Sequence, residues 1–289
     1  MKKDWIILFV FLFLSILIFF TLYFMDDIED GLSSYVILNR SSYDFLKDKN
    51  LILYLDFDSY NESNLDKSRK KTGVIFGSSN GADINDPIWL PDGVYLGALK
   101  FDGIDDYLDV RGLDLRGNKM TISVWVKINK LSSEAIYISK AKGRNTEDYW
   151  WMVGNNKREL RFKLKTDTST PSTVIRETIT LDADINKQRR LELNKWIHVT
   201  ATYDGILMRI YRDGYEVGRI DKKGEIPFEK VSVWIGANPK DAYGAFDGVI
   251  DEVSVFNRTL SYSEINYLSN YNIKGERLDL DVCYGKFIC

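Results

Sequence analysis

Residues 196–220 read WIHVTATYDGILMRIYRDGYEVGRI, and this stretch carries the strongest fold signal in the chain. Runs rich in β-branched and aromatic residues alternate here with two Asp-Gly pairs, Asp204-Gly205 and Asp213-Gly214. Asp-Gly between such runs is typical of a tight hairpin turn, because the turn needs residues that tolerate positive φ. The stretch therefore predicts a three-stranded antiparallel meander.

Similar short runs with alternating apolar residues lie on both sides of the meander, at spacings of roughly 8–15 residues. They cover residues 51–58, 98–101, 107–110, 120–128, 135–139, 150–153, 160–165, 231–235 and 248–256. This pattern predicts an all-β fold in which two antiparallel sheets form a sandwich. One helix is predicted at residues 261–270, because Ser261 and Glu264 have the spacing of a capping box. For residues 181–193 the sequence leaves two interpretations, a charged helix or a long loop.

The composition excludes several classes of function. With a net charge of −3, the chain has no basic field for nucleic acid. His198 is its one histidine, and Cys283 and Cys289 are its two cysteines. A zinc site built from Cys and His needs about four such ligands in one cluster, so it is excluded. We expect His198 to be structural, since no partner acid lies near it in the sequence.

An uncharged apolar segment lies close to the N-terminus, at residues 5–25. As a helix it would be roughly 30 Å long, which matches the core of a bilayer. Lys2 and Lys3 precede it and predict a cytoplasmic N-terminus with the rest of the chain exported. We therefore expect a single-pass anchor in the cell membrane. A cleaved secretory signal is the alternative, although residues 22–25 offer no small side chains for cleavage.

With this anchor, the chain is predicted to have four parts. Residues 1–25 form the cytoplasmic tip and transmembrane helix, and residues 26–49 read as a stalk. The folded domain is predicted over residues 50–272, followed by a C-terminal tail over residues 273–289. Export would place Cys283 and Cys289 in an oxidising compartment, where they can form a disulfide. Two free thiols are the alternative.

Several of these pieces resemble, in order, the laminin G-like jelly roll of the concanavalin A-like lectin/glucanase type. They are LYLDF at 53–57, GALKFDG at 97–103, TISVWV at 121–126, WIHV at 196–199 and FDGVIDEV at 246–253. The resemblance implies a two-sheet jelly roll that binds glycans or other surface proteins, and a minority of such domains are glycosidases. Residues 165–194 depart from the family because they are longer and more charged, and we expect them to cover one face or rim of the sandwich.

Glycosidases on this fold carry two carboxylates on one strand, a few residues apart, that project into one cleft. Here Asp251 and Glu252 are adjacent, so on a regular strand they point to opposite faces. Val249 occupies the position where a second acid would be needed. We therefore do not expect an enzyme.

Asp251 shares a strand face with valines that look like core, and a carboxylate there must be paired, hydrogen-bonded or metal-bound. The resemblance implies a calcium site near such positions. Calcium takes six to eight oxygens, and one interpretation gives it Asp251 together with Asp102 and Asp105 from the loop over residues 102–106. In the other interpretation Asp251 accepts backbone N–H groups and the loop aspartates only build a turn.

The last candidate for ligand binding is an aromatic side chain. Trp150 and Trp151 must face opposite sides of a strand. We expect Trp151 to pack with Val153 and Trp150 to face outward, where its indole can stack on a sugar. Alternatively, the segment over residues 165–194 covers Trp150. The remaining tryptophans in alternating runs, Trp125, Trp196 and Trp234, are expected in the core.

The sequence thus predicts a membrane-anchored, extracytoplasmic recognition module that binds carbohydrate or mediates adhesion. The alternative is a structural domain of an envelope or appendage that contacts partner proteins. A glycoside hydrolase is the third and least supported reading.

Overall fold

The computed structural model describes residues 44–59, 65–68, 73–76, 86–183, 190–238 and 242–270. Within these ranges the chain forms fifteen β-strands and one α-helix. The elements are β1 (Leu51–Leu55), β2 (Gly73–Phe76), β3 (Ile88–Leu90), β4 (Ala98–Asp102), β5 (Leu108–Arg111), β6 (Met120–Ile128), β7 (Ala135–Ala141), β8 (Tyr149–Asn156), β9 (Glu159–Ser169), β10 (Val174–Asp182), β11 (Trp196–Tyr203), β12 (Leu207–Arg212), β13 (Tyr215–Asp221), β14 (Val233–Ile235), β15 (Asp247–Phe256) and helix α1 (Tyr262–Leu268).

The strands pair into two antiparallel sheets. The eight-stranded sheet has the order β13-β12-β11-β6-β15-β4-β3, and β1 also pairs with β15. The seven-stranded sheet has the order β10-β9-β8-β7-β14-β5-β2. Non-consecutive neighbours in both sheets mean that the chain crosses repeatedly between them. The prediction of an all-β sandwich of two antiparallel sheets is confirmed.

The core lies between the two sheets and is filled by the apolar side chains of alternating positions. Val124 and Val126 of β6 belong to this core from one sheet, and Val233 and Ile235 of β14 belong to it from the other. Because successive residues of a strand point to opposite faces, the residue between Val233 and Ile235 must face away from the core.

The predicted meander is β11-β12-β13, with continuous pairing from β6 across to β13. Its second turn has positive φ at both Asp213 (50°) and Gly214 (80°), as a tight hairpin requires. In the first turn Gly205 has a φ of 100°. The second turn is therefore the predicted tight turn, whereas the first is a longer loop, since the last pair of β11 and β12 is Tyr203 opposite Met208 and only the glycine of its Asp-Gly pair has a positive φ.

Strands β2, β3 and β10 were not predicted. β10 lies within residues 165–194 and pairs with β9 along its whole length, from Val174 opposite Ser169 to Asp182 opposite Arg161. The described part of this segment does not lie across a face of the sandwich, because its β9–β10 hairpin extends the seven-stranded sheet at its edge. Leu181 and Asp182 belong to β10, and no helix occurs in the described part of residues 181–193.

The folded unit begins earlier than expected. Phe45 is buried, and its ring packs against Phe256 at 5.7 Å and Tyr267 at 6.0 Å between centroids. Asp48 forms an ion pair of 2.6 Å with Arg258. Residues 44–49, expected in the stalk, are thus part of the domain.

At the other end of the domain, α1 has the predicted capping box. The Ser261 hydroxyl accepts the Glu264 N–H, and the Glu264 carboxylate accepts the Ser261 N–H. Among the described residues, no helix has the length and apolar character needed to cross a bilayer. The predicted anchor at residues 1–25, stalk residues 26–43, and Cys283 and Cys289 lie outside the described residues.

Candidate functional site

The loop over residues 102–107 joins the two sheets at one rim of the sandwich, because β4 belongs to one sheet and β5 to the other. Carboxylate oxygens of Asp102, Asp105 and Asp106 lie within 4.8 Å of one another. The Asp106 carboxylate accepts the Asp102 N–H at 2.8 Å, and the Asp102 carboxylate accepts the Ile104 N–H at 2.7 Å. The structure therefore brings Asp102 and Asp105 together, and adds Asp106.

This acidic loop is electrostatically strained. Burial raises the pKa of Asp106 to about 6, and the negative charges of Asp102 and Asp105 add to the rise, although the Asp102 N–H opposes it. A bound cation would offset this repulsion. The donors are all oxygen, which suits calcium, with backbone carbonyls or water completing its shell. The three loop residues therefore fit a calcium ion.

Asp251 is not part of this cluster. β15 pairs with β4 so that Asp247 lies opposite Asp102, and Asp251 is four residues further along, roughly 13 Å away at the rise of a strand. Its carboxylate is 0% exposed and accepts N–H groups from Val94 at 2.8 Å and Tyr95 at 3.3 Å. Of the two interpretations of Asp251, the structure shows the one with backbone partners.

The adjacent Glu252 is also buried. It sits in a bulge of β15 with a φ of 50°, and its carboxylate accepts the Tyr54 hydroxyl at 2.9 Å. Burial raises the pKa of both carboxyls well above the usual range, and the charge of Asp251 raises that of Glu252 further. Both groups are buried, so this pair does not form the open carboxylate cleft of a glycosidase.

Trp150 does not offer an open surface for a sugar. Its side chain is 2% exposed, and two ammonium groups lie over the indole, that of Lys165 at 4.4 Å and that of Lys142 at 5.4 Å. The expectation that Trp150 is exposed is wrong, because Trp150 belongs to the buried core cluster; as in the alternative, a residue of the segment 165–194, Lys165, lies over it. Trp151 packs in the core near Val153, as predicted.

A second aromatic group was missed by the sequence analysis. The rings of Tyr107 and Trp234 stack with centroids 3.5 Å apart and planes at 3°. Both side chains are half-buried, so Trp234 is not the core residue that we expected; Trp196 is also half-buried, and the same expectation was wrong for it. The alternation of Val231, Val233 and Ile235 was the signal, since it assigns Trp234 to the opposite face of β14.

The stacked pair adjoins the acidic loop. Tyr107 directly follows Asp106, and Gly236, two residues after Trp234, lies where an added Cβ would be 3.2 Å from the Asp106 carbonyl oxygen. Opposite Trp234 on the same sheet face is Asp109 of β5, which forms an ion pair with Arg111 at 3.1 Å. We call this arrangement the rim site, consisting of Asp102, Asp105, Asp106, Tyr107 and Trp234.

Comparison with known proteins agrees with this architecture. Residues 102–266 match the family model described as the concanavalin A-like lectin/glucanases superfamily. The chain is 31% identical over 136 residues to pappalysin-1 of Mus musculus, covering 42% of the chain and 8% of that protein. It is 28% identical over 159 residues to adhesion G-protein coupled receptor V1 of Danio rerio, covering 53% of the chain and 2% of that receptor. The chain thus spans less than a tenth of these relatives.

Solved structures with the same fold are more distant in sequence. Domain 4 of AbnA, an extracellular arabinanase of Geobacillus stearothermophilus solved with arabinotriose, has a TM-score of 0.55 at 19% identity, covering 76% of the chain and 98% of that domain. The binding domain of Paraclostridial mosquitocidal protein 1 has a TM-score of 0.58 at 15% identity, covering 80% and 56%. The binding domain of botulinum neurotoxin DC, solved with SialylT, has a TM-score of 0.53 at 23% identity, covering 77% and 51%. Since the family model spans more than half of its residues, the chain belongs to the concanavalin A-like lectin/glucanases superfamily.

Proposed function

We propose that this protein is a recognition module that binds carbohydrate through the rim site, on the extracytoplasmic side of a membrane to which residues 1–25 anchor it. The observation that carries the proposal is the half-buried stack of Tyr107 on Trp234 beside three clustered carboxylates. Ligand sites combine an apolar or aromatic surface with a few convergent polar groups, and the rim site has both.

Each part of the rim site has a role in this proposal. The aromatic stack supplies a flat apolar surface for the C–H face of a sugar ring. Asp102, Asp105 and Asp106 accept hydrogen bonds from hydroxyl groups, or hold a calcium ion that itself binds hydroxyl oxygens. The arabinanase domain solved with arabinotriose and the neurotoxin domain solved with SialylT support a carbohydrate ligand for this fold.

A second candidate function is contact with a protein partner, as an adhesion or structural domain. It is favoured by two consecutive apolar residues on the edge strand β10, Val174 and Ile175, which are 58% and 53% exposed. An exposed edge of this kind is a common docking feature for another chain. This surface lies on β10, at the opposite edge of the seven-stranded sheet from the β5 side of the rim site.

A glycan array with the full-length chain tests the proposal, with calcium and with chelator. We expect binding to one or a few glycans, lost in Trp234→Ala and Tyr107→Ala. Trp196→Ala is the matched control, because Trp196 is also half-buried but lies on β11 of the other sheet. Binding that survives both rim substitutions would contradict the rim site. If the folded wild-type protein binds no glycan either with calcium or with chelator, a protein partner is favoured.

A further inference from the structure

The outer face of the eight-stranded sheet, turned away from the core, has a polar floor. Thr200 of β11 lies opposite Ser123 of β6, which in turn lies opposite Ser254 of β15, so three hydroxyl groups form one row. His198 is two residues from Thr200 on the same face of β11. All four side chains are buried.

Two atoms of this floor lack a hydrogen-bond partner. The His198 Nε2 atom is 2.7 Å from the Ser123 hydroxyl, but Nδ1 has no partner among the described residues. The Thr200 hydroxyl has none there either. Buried polar groups in native proteins are almost always hydrogen-bonded to protein or to ordered water, because an unpaired one costs about as much as a lost hydrogen bond.

The segment that contains helix α1 is attached to the protein next to this floor. Near its start, the Leu260 N–H bonds the Thr121 hydroxyl, and the Thr259 hydroxyl bonds the Tyr203 carbonyl at the last residue of β11. At its end, Ser269 is so close to Gly214 that an added Cβ there would be 2.8 Å from the serine oxygen. The neighbouring Asp213 accepts the His198 N–H at 2.9 Å. The segment from Thr259 to Ser269, which contains the helix, therefore extends from the end of β11 at Tyr203 to the turn that follows β12, next to His198.

Within helix α1, no buried side chain is polar. The two buried side chains of α1, Ile265 and Leu268, are hydrocarbon. The Trp125 ring lies beside the His198 imidazole, at 5.1 Å between centroids. Burial lowers the pKa of His198 to about 3, so its ring is neutral near pH 7 and Nδ1 is either a donor or an acceptor. Water satisfies both cases, since it donates and accepts.

We propose that β11 and α1 enclose a water-binding site whose protein ligands are His198 Nδ1 and the Thr200 hydroxyl. Same-face neighbours on a strand are roughly 6.6 Å apart, and a hydrogen bond spans about 2.8 Å, so one or two water molecules bridge the two groups. The row of hydroxyls on Ser123 and Ser254 continues the polar surface. Helix α1 thus packs partly against bound water. This water also holds the His198 imidazole in place.

Thr200→Val tests the site, because it replaces the hydroxyl with a methyl group of the same shape. If water binds there, the substitution leaves it with fewer partners, and we expect Tm to fall by about 2–4 °C in the full-length chain. If the hydroxyl is buried dry and unpaired, its removal raises Tm or leaves it unchanged, which would overturn the proposal.

A calibration and a direct observation complete the test. Thr121→Val removes a hydroxyl that has two partners within the protein, Arg258 and Leu260. Its change in Tm shows the effect of losing hydrogen bonds between protein groups. A crystal structure of the full-length chain at about 1.5 Å should show water within about 3.2 Å of His198 Nδ1 or the Thr200 oxygen. Absence of that density would overturn the proposal even if Tm falls.

Discussion

Replacing Gly236 with alanine should destabilise the domain and disturb the rim site together. Gly236 has a φ of 87°, where an alanine costs about 1–2 kcal/mol. A Cβ there would also clash with the ring of Phe101, which is buried in the core beside Phe246 and has no room to retreat. Overpacking of this kind costs about 1–3 kcal/mol, so we expect a total loss of about 2–5 kcal/mol in the free energy of unfolding.

The chain offers a matched control for the steric part of this loss. Gly117 has a φ of 92°, but an added Cβ there meets nothing within 4 Å. Gly117→Ala therefore carries only the backbone cost, about 1–2 kcal/mol. Urea denaturation of both variants, followed by tryptophan fluorescence, measures the difference. Equal losses would refute the close approach of Gly236 to Phe101, and with it the packing that sets the acidic loop beside Trp234.

Three further predictions concern charge and location. Because burial raises the pKa of Asp251 and Glu252, the stability contributed by their protonated forms is complete below about pH 4 and is lost as the pH rises through the folded pKa values. Glu252→Gln should therefore raise Tm by about 2–4 °C at pH 8 with no gain at pH 4; an equal change at both pH values in a calorimetric scan would contradict this. Calcium should raise the Tm of wild type and chelator reverse it, while a variant with asparagine at Asp102 and Asp105 responds to neither; an unchanged response would remove the loop as the calcium site. The full-length chain should stay with membranes through alkaline extraction, whereas release of a shortened chain lacking residues 1–25 would indicate cleavage.

Much of the fold was predictable because its signals are local. The Asp-Gly turns and the alternating runs define β11, β12 and β13 without reference to the rest of the chain. β10 was missed because Arg176 and Glu177 interrupt its apolar residues, and on an exposed edge strand such charges are tolerated. Its identity depends on pairing with β9, which sequence alone does not display.

The candidate site was less predictable because it depends on distant contacts. Asp251 is satisfied by the backbone of Val94, 157 positions earlier in the chain, and no local pattern reveals that loop. Trp150 is covered by lysines from two other segments, and this coverage is also a tertiary effect. Trp234 is different: strict use of the period-two rule on β14 would have assigned it to the outer face.

The pairing of β15 has a mechanical consequence. Its first residue, Asp247, lies opposite Asp102 at the rim, and its last, Phe256, packs against Phe45, close to Asp44, the entry point at which the folded domain begins. These two points are separated by the length of one strand, roughly 30 Å. A load applied to a ligand at the rim and resisted at the entry point therefore acts lengthwise along β15 and its neighbours. The hydrogen bonds between these strands are then loaded in shear and carry the force together. They do not break one after another from one end of the strand.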